Sequence, residues 1–302
     1  MTTLYSHRRK NIQKTWLLVT SFFLIIIALG WTFSQIYNSP GILYFAVIFS
    51  IVMNILSYWH SDKIALALSG ARSIQKADNP ELWNVVENLS IAAGLPMPRL
   101  YVIEDAAPNA FATGRDKEHA AVAVTAGLLS ILERSELEGV IAHELSHIDN
   151  RDILVSTVVV VLVGFVTLLS DFFLRSRFFG RRDNHRGGGG VLLLIGLALA
   201  ILSPLVATII QLAISRKREF LADASGALLT RYPEGLAGAL RKIGGYGQPL
   251  RRANHATAHL FIMSPFGPEE EKTGFLTKLF MTHPPVAERI KALLGRHADN
   301  LH

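Results

Sequence analysis

Long apolar runs alternate with polar segments along this chain. The first two runs lie between Thr15 and Ser61, a stretch without Asp, Glu, Lys or Arg that is interrupted only by turn residues around Pro40. A helix that crosses the hydrocarbon layer of about 30 Å needs about 20 apolar residues. The pattern therefore predicts two membrane-spanning helices, at 15–37 and 41–59, joined by a tight turn.

Two further apolar runs lie at 153–174 and 191–215. Both are long enough to cross a bilayer, and we expect that both do so. The third run is rich in β-branched residues and the fourth contains Pro204, so a helix buried in the protein core is the alternative for each. The runs divide the chain into an N-terminal transmembrane hairpin at 1–60, a first polar part at 61–152, a second transmembrane hairpin at 153–214 and a second polar part at 215–302.

The polar parts show both helical and strand patterns, which predicts an α+β domain. We expect strands at Arg99 to Glu104 and Ala120 to Thr125, and helices at Pro80 to Ala93, at 127–133 and up to about Asn150. Half of the residues are hydrophobic and the mean hydropathy is +0.32, as in a membrane protein. The predicted fold class is therefore α+β, in an integral membrane protein with four transmembrane helices.

The most informative polar residues are His143, Glu144 and His147. Residues four apart lie on one face of a helix, so the two imidazoles can bind a single ion. Zinc suits this arrangement, because a catalytic Zn²⁺ takes three protein ligands and keeps a position for a water whose pKa it lowers to about 7. Glu144 is then the candidate general base, and the alternative is a polar helix face without a metal. Ser135 and Glu138 form a capping-box pattern that predicts the start of this helix.

A third ligand must be a histidine or a carboxylate, because the sequence contains no cysteine. Glu219 and Asp223 follow the fourth apolar run and share one helix face at a spacing of four. Glu219 can complete a His₂Glu site, and Asp223 can accept the outer N–H of a ligand histidine. The alternative is that both carboxylates balance Arg216 and Arg218 as surface ion pairs.

The order of the segments places the candidate metal site at the membrane surface, because the helix with His147 ends next to the third apolar run. Basic residues flank the first, second and fourth runs on the side of the polar parts, which predicts a cytoplasmic polar domain. Five arginines in the 175–190 loop argue the other way. The net charge of +6 fits basic residues that contact anionic lipid. Nucleic-acid binding is not indicated, because no interleaved aromatic and basic residues occur.

Three segments together resemble the HtpX family of membrane zinc metalloproteases, which are relatives of the CAAX prenyl proteases. They are His143-Glu144-Leu145-Ser146-His147 with the residues up to Asp152, Arg218 to Asp223, and Thr282-His283-Pro284-Pro285 with Arg289. The likeness spans nearly the whole chain. It implies a gluzincin-like catalytic domain with one Zn²⁺ per chain, which cleaves membrane or misfolded polypeptides at the cytoplasmic face of a bacterial inner membrane.

The resemblance also implies a role for individual residues. It makes His143, His147 and Glu219 the zinc ligands, Glu144 the general base and acid, and Asp223 the outer partner of a ligand. His283 could donate to the developing oxyanion. Substrate binding is implied for Arg289 and for an edge strand that contains Asn109, Ala110, Phe111 and Ala112, since an extended peptide can pair with such a strand. The alternative for 109–114 is an ordinary surface turn.

Two other functions are compatible with the same motif. An intramembrane zinc protease is disfavoured, because charged residues such as Glu136, Asp149 and Asp152 make the motif helix too polar to lie in lipid. A non-catalytic membrane scaffold that binds a structural metal is the alternative from another class. The carboxylate of Glu144 argues against it, because a purely structural site has no use for a free carboxylate there.

Overall fold

The computed structural model describes residues 4–36, 38–164, 216–267 and 284–295. The fourth apolar run, the part of the third run beyond Gly164, the 175–190 loop and His283 lie outside the described residues. What the sequence predicts for these segments stays a prediction.

A packed pair of apolar helices opens the chain. Helix α1 covers Leu4–Ile36 and helix α2 covers Pro40–Trp59, which begins with proline because the first residue of a helix needs no N–H bond. Among the described helices, these two are long and apolar enough to cross a membrane. Large apolar side chains on their outward surfaces are exposed, as on a surface that faces lipid; they include Trp16, Leu17, Leu24, Trp31, Tyr44, Phe45, Ile48 and Ile55.

A four-stranded sheet forms the middle of the polar domain, in the order β1-β2-β4-β3. The strands are β1 (Ala71–Ser73), β2 (Arg99–Ile103), β3 (Ala110–Thr113) and β4 (Ala121–Thr125). Strands β2 and β4 are parallel, and the two outer pairs are antiparallel. The strand patterns that predict β2 and β4 are confirmed to within one residue, whereas the short strand β1 has no pattern that predicts it.

Helices pack around this sheet. In chain order they are α3 (Ser61–Ser69), α4 (Pro80–Ala93), α5 (Ala126–Ile131), α6 (Arg134–Asp149), α7 (Asp152–Gly164), α8 (Arg216–Thr230), α9 (Pro233–Gly244) and α10 (Val286–Leu294), with a 3₁₀ turn at Ala258–Leu260. Helix α4 has the predicted limits. The Asn79 side chain accepts the Leu82 N–H at 2.9 Å at its start, and Gly94 adopts a left-handed conformation at its end.

The start of α6 differs from the prediction. Its capping box consists of Glu133 and Glu136, with the Glu136 carboxylate accepting the Glu133 N–H at 2.8 Å, rather than of Ser135 and Glu138. Lys242 of α9 contacts the Glu136 carboxylate at 2.6 Å, and no local pattern shows this tertiary interaction. Helix α6 therefore begins at Arg134, before Ser135, whereas the predicted capping box would start it after Ser135.

Strand β4 is buried on both faces and separates two apolar cores. Val122 and Val124 belong to a core shared with α4, α6 and α9, whereas Ala121 and Ala123 belong to a core shared with α3 and α7. Helix α7 also packs against α1 and α2 in a third core. Helix α6 consequently lies in the polar domain and ends where the membrane helices begin.

Candidate metal centre

His143 and His147 lie one turn apart on α6, with their rings turned toward the same point. Their Nε2 atoms are 3.2 Å apart, and the rings are nearly perpendicular, at 89°. The His143 side chain is buried and that of His147 is 15% exposed. The spacing of four residues therefore places two nitrogen donors on one side of the helix.

A third donor comes from α8, which packs against α6. Glu219 Oε2 lies 3.9 Å from His143 Nε2, and Glu219 Oε1 lies 3.7 Å from His147 Nε2. Two turns further along α8, a Cβ on Gly226 would lie 2.9 Å from the backbone nitrogen of His143. Ala222, between the two positions, is fully buried. Small residues on this face of α8 thus let the helices approach closely enough for the carboxylate to reach the histidines.

The distances between the three donor atoms are close to those around a tetrahedral metal ion. Zinc-to-ligand bonds of about 2.0 to 2.2 Å at tetrahedral angles put neighbouring donor atoms about 3.3 Å apart. The imidazole nitrogens match this separation, whereas the Glu219 oxygens are farther away by roughly half an ångström. A small movement of the Glu219 side chain would close the site, and two imidazoles with one carboxylate are the donors of many catalytic zinc sites.

Each histidine has a carboxylate at its outer nitrogen. Asp223 Oδ1 lies 2.9 Å from His143 Nδ1, and Asp152 Oδ2 lies 3.1 Å from His147 Nδ1. A carboxylate at Nδ1 keeps the ring proton there and directs the Nε2 lone pair toward a metal. Two such lone pairs at 3.2 Å repel each other unless a proton or a cation lies between them, so the donor geometry fits a bound metal ion.

In the metal-free site, His143 and His147 differ in their affinity for a proton. Burial lowers the pKa of His143, and the nearby Asp223 carboxylate does not offset it. Burial also acts against protonation of His147, but the Asp152 hydrogen bond and the Glu219 charge raise the pKa of His147 to about 9. The metal-free site therefore holds a proton on His147 at neutral pH, close to the point where the donors converge.

Arg289 of α10 is fully buried behind Asp223. Its guanidinium donates to both Asp223 oxygens, at 2.9 and 2.6 Å, and to the Ile262 carbonyl at 2.9 Å. Burial alone would raise the pKa of Asp223, but the Arg289 guanidinium and His143 lower it to about 2. The resemblance implies substrate binding for Arg289, which stays a prediction. In this structure the side chain has no exposed surface and holds Asp223 and the Ile262 carbonyl.

Glu144 is buried on α6 beside the three donors. Burial, reinforced by the charge of Glu219, raises the pKa of Glu144 to about 7. The backbone N–H of Ala112 in β3 forms a hydrogen bond with the Glu144 carboxylate. A carboxyl group with a pKa near neutrality can both accept and return a proton at pH 7.

Strand β3 is an edge strand of the sheet and runs next to Glu144. The alternative of a surface turn at 109–114 is therefore wrong, since Ala110–Thr113 is a buried strand. The Asn109 amide donates to the Met263 carbonyl at 2.9 Å, and the Phe111 ring is fully buried against Phe261, with centroids 5.0 Å apart.

The segment at 259–262 lies beside the donors. It lines a cavity of about 30 Å³ together with Ala112, Glu144 and the two histidines of α6. Ile262 N–H donates to the Ala110 carbonyl at 2.9 Å, so the segment also takes part of the free edge of β3. A cavity of this volume holds an ion or a few water molecules but no peptide.

Local sequence patterns do not predict the contacts of three polar residues near the donors. Asp152 contacts His147 although it lies five residues further along the chain, where helical spacing would not place it. Asn11 of α1 donates to Asp152 Oδ1 at 2.6 Å, and Arg218 Nη1 lies 3.6 Å from the same oxygen. A polar residue near the start of an apolar helix is the signal that could have drawn attention to Asn11.

Comparisons with known proteins show what this chain is similar to. A family model for peptidase family M48 matches residues 76–297. The protease HtpX homolog of Thermoanaerobacter pseudethanolicus is 50% identical over 298 residues, which cover 96% of this chain and 97% of the relative. Those of Tropheryma whipplei and Streptococcus gordonii are 47% and 41% identical, over 96% of this chain and 97% and 99% of the relatives. The crystal structure of S. mikatae Ste24p matches with a TM-score of 0.49 and 19% identity, over 96% of this chain and 67% of that chain.

Proposed function

The chain belongs to peptidase family M48 and is a membrane metalloprotease, and from this premise we propose that it is a zinc-dependent endopeptidase. The ion is held by His143, His147 and Glu219, and Glu144 is the general base. The observation that carries the proposal is the pair of Nε2 atoms 3.2 Å apart, each ring with a carboxylate at its outer nitrogen. Such a pair needs a proton or a cation between its lone pairs, and Glu219, with oxygens 3.7 and 3.9 Å from the two nitrogens, supplies the third donor that favours a metal ion.

Each residue of the site has its own role in the proposed peptide hydrolysis. A bound zinc ion supplies a Lewis acid and lowers the pKa of a coordinated water. Glu144 accepts the proton of the attacking water and returns it to the leaving amine, for which its pKa near 7 is suited. The Ala112 N–H fixes the orientation of the Glu144 carboxylate. His283 is proposed to donate to the developing oxyanion, on the strength of the family resemblance alone.

Substrate is proposed to bind along β3 through Asn109, Ala110, Phe111 and Ala112. An edge strand can pair with an extended peptide without regard to its side chains, which suits a protease of broad specificity. Ala112 supports this placement, because its N–H reaches Glu144 and the residue lines the same cavity. A peptide that pairs with Ala110 must compete with the 259–262 segment, so this segment moves when substrate binds.

The substrates are proposed to be membrane or misfolded polypeptides, cleaved at the cytoplasmic face of the bacterial inner membrane. The position of the donors supports this proposal, since α6 ends at the turn into α7, which packs on α1 and α2. The contact of Asn11 with Asp152 also puts the N-terminal end of α1 on the side of the polar domain. Basic residues flank the apolar runs on that side, as expected for the cytoplasm.

A test of the proposed function combines metal analysis with proteolysis. The full-length protein is purified in detergent, its zinc content is measured, and hydrolysis of casein is followed before and after removal of metal by a chelator. We expect one zinc per chain, loss of hydrolysis with the chelator and recovery on adding zinc. Zinc binding without any hydrolysis by the parent protein would favour the non-catalytic scaffold instead.

A further inference from the structure

We propose that Asn11, near the start of the membrane helix α1, is a positioning residue for His147 that acts through Asp152. This inference rests on the metal site proposed above. It assigns part of that site to a helix that lies outside the polar domain.

The Asn11 side chain is buried, and its amide nitrogen bonds to one turn of the polar domain. It is 5% exposed, and its Nδ2 donates to Asp152 Oδ1 at 2.6 Å and to the Asn150 carbonyl at 3.1 Å. A buried amide costs free energy unless its hydrogen bonds are made. These two bonds therefore hold α1 and the turn between α6 and α7 in one relative position.

The turn that receives these bonds has an unusual backbone. Arg151 has a φ of +57°, a left-handed conformation that residues other than glycine rarely adopt. This conformation turns the chain from α6 into α7 and brings Asp152 back to His147, the last donor on α6. Asn11 bonds to the residue on each side of Arg151, so it fixes both ends of the turn.

The two oxygens of the Asp152 carboxylate have different partners, one in the membrane helix and one in the metal site. Its Oδ2 lies 3.1 Å from His147 Nδ1, whereas its Oδ1 accepts the Asn11 hydrogen bond. The Arg218 guanidinium is also near Oδ1, but its Nη1 lies at 3.6 Å, beyond the distance of a hydrogen bond. Without Asn11 the carboxylate can rotate away from His147, which removes the group that orients the ring and keeps its proton on Nδ1.

The two histidines therefore depend on different parts of the protein. The partner of His143, Asp223, is held by Arg289 within the polar domain. The partner of His147 is held by a residue of α1. A displacement of α1 relative to the polar domain would consequently change the orientation of His147 and leave that of His143 unaffected.

The test measures metal binding by the metal-free, full-length protein in detergent. Asn11→Leu and Asn11→Ala remove the amide donors, and Thr15→Val is the matched control. Thr15 is buried one turn further along α1, and its hydroxyl donates to the Asn11 carbonyl of the same helix. Zn²⁺ affinity is measured by competition with a chelator, and the visible spectrum of the Co²⁺ form reports the geometry of the ligands.

We expect both Asn11 variants to bind Zn²⁺ at least about tenfold more weakly than the parent, as is typical for loss of a group that orients a ligand. Their Co²⁺ spectra should change, while Thr15→Val keeps the parental affinity and spectrum. An Asn11 variant that assembles and binds Zn²⁺ as tightly as the parent overturns the proposal. If neither variant folds, the proposal is also overturned, because the role of Asn11 would then be in folding and not in positioning His147.

Glu219→Ala, measured in parallel, separates this inference from the proposed function. If the parent binds no zinc, or if Glu219→Ala binds it as tightly as the parent, the proposed metal site itself is wrong. If Glu219→Ala loses the ion and Asn11→Leu keeps it with parental affinity, the role of Asn11 alone is rejected.

Discussion

Arg289 and Asp223 form a bidentate ion pair in the protein interior, with Nε and Nη2 at 2.9 and 2.6 Å from the two carboxylate oxygens. The pair lies behind His143, whose Nδ1 is 2.9 Å from Asp223 Oδ1. Removing one partner of a buried pair leaves the other charge uncompensated, which typically costs about 3 to 5 kcal/mol. Arg289 is therefore expected to affect both the stability of the fold and the binding of the metal.

Arg289→Leu should lower the free energy of unfolding of the metal-free protein and weaken zinc binding. The stability difference should depend on pH. The pKa of Asp223 is lowered to about 2 in the folded protein, so its contribution is present above the unfolded value of about 3.9 and is lost as the pH falls toward 2. Thermal unfolding between pH 3 and 7 measures this, with Arg289→Lys as the variant that keeps the charge. A stability difference that stays constant down to pH 3 would contradict the ion-pair role.

Glu219→Ala should empty the metal site, whereas Asp223→Asn should bind zinc about 10- to 100-fold more weakly than the parent. The first change removes a donor, whereas the second keeps all three donors and removes the charge that orients His143 and pairs with Arg289. Glu234→Ala, in the exposed first turn of α9, is the control. Zinc content at matched protein concentration decides the question. Full occupancy of Glu219→Ala at low free zinc would mean that the third ligand lies elsewhere.

Glu144→Gln should retain zinc and lose at least about 100-fold in turnover, the usual contribution of a general base. Glu138→Gln is the matched control, because it makes the same change at a partly exposed position of α6. Casein hydrolysis and self-cleavage during purification are the two measurements. Activity of Glu144→Gln within a few-fold of the parent would reject the assigned base, and equal self-cleavage of both proteins would indicate a contaminating protease.

Residues of the site that share a helix could be predicted from the sequence. His143, Glu144 and His147 follow from a spacing of four in a helix, and so does the common face of Glu219 and Asp223. Each inference needs only the geometry of a single regular element. The limits of α4 were predictable for the same reason, since its cap residues are neighbours of the helix in sequence.

Contacts that join distant segments could not be predicted in this way. The contact of Asp152 with His147 depends on the left-handed conformation of Arg151, which residues other than glycine rarely adopt. The bond from Asn11 to Asp152 spans 141 positions of the chain. The start of α6 was predicted wrongly because a tertiary contact, from Lys242, selects Glu136 for its capping box.

Zinc binding to the metal-free protein should release at least one proton per ion between pH 7 and 8. The pKa of His147 is raised to about 9, so below that pH the ion must displace the proton from its Nε2. The apparent zinc affinity should therefore rise about tenfold per pH unit and level off near pH 9. Calorimetry in buffers with different enthalpies of ionisation measures the released protons. A heat that does not depend on the buffer would show that His147 is already unprotonated.

The polar domain, with residues from both sides of the second apolar hairpin, is predicted to be cytoplasmic. The motivating observation is that Glu219 reaches His147 although the third and fourth apolar runs separate them, so the chain returns to the face it left. The chain has no cysteine, so single cysteines at Ser73, Asn184 and Ala298 can be labelled with a membrane-impermeant thiol reagent in intact cells. Labelling at Asn184 alone supports two full crossings by the hairpin, and labelling at none of the three means that the hairpin does not cross. Labelling at Ser73 or Ala298 would overturn the cytoplasmic assignment itself.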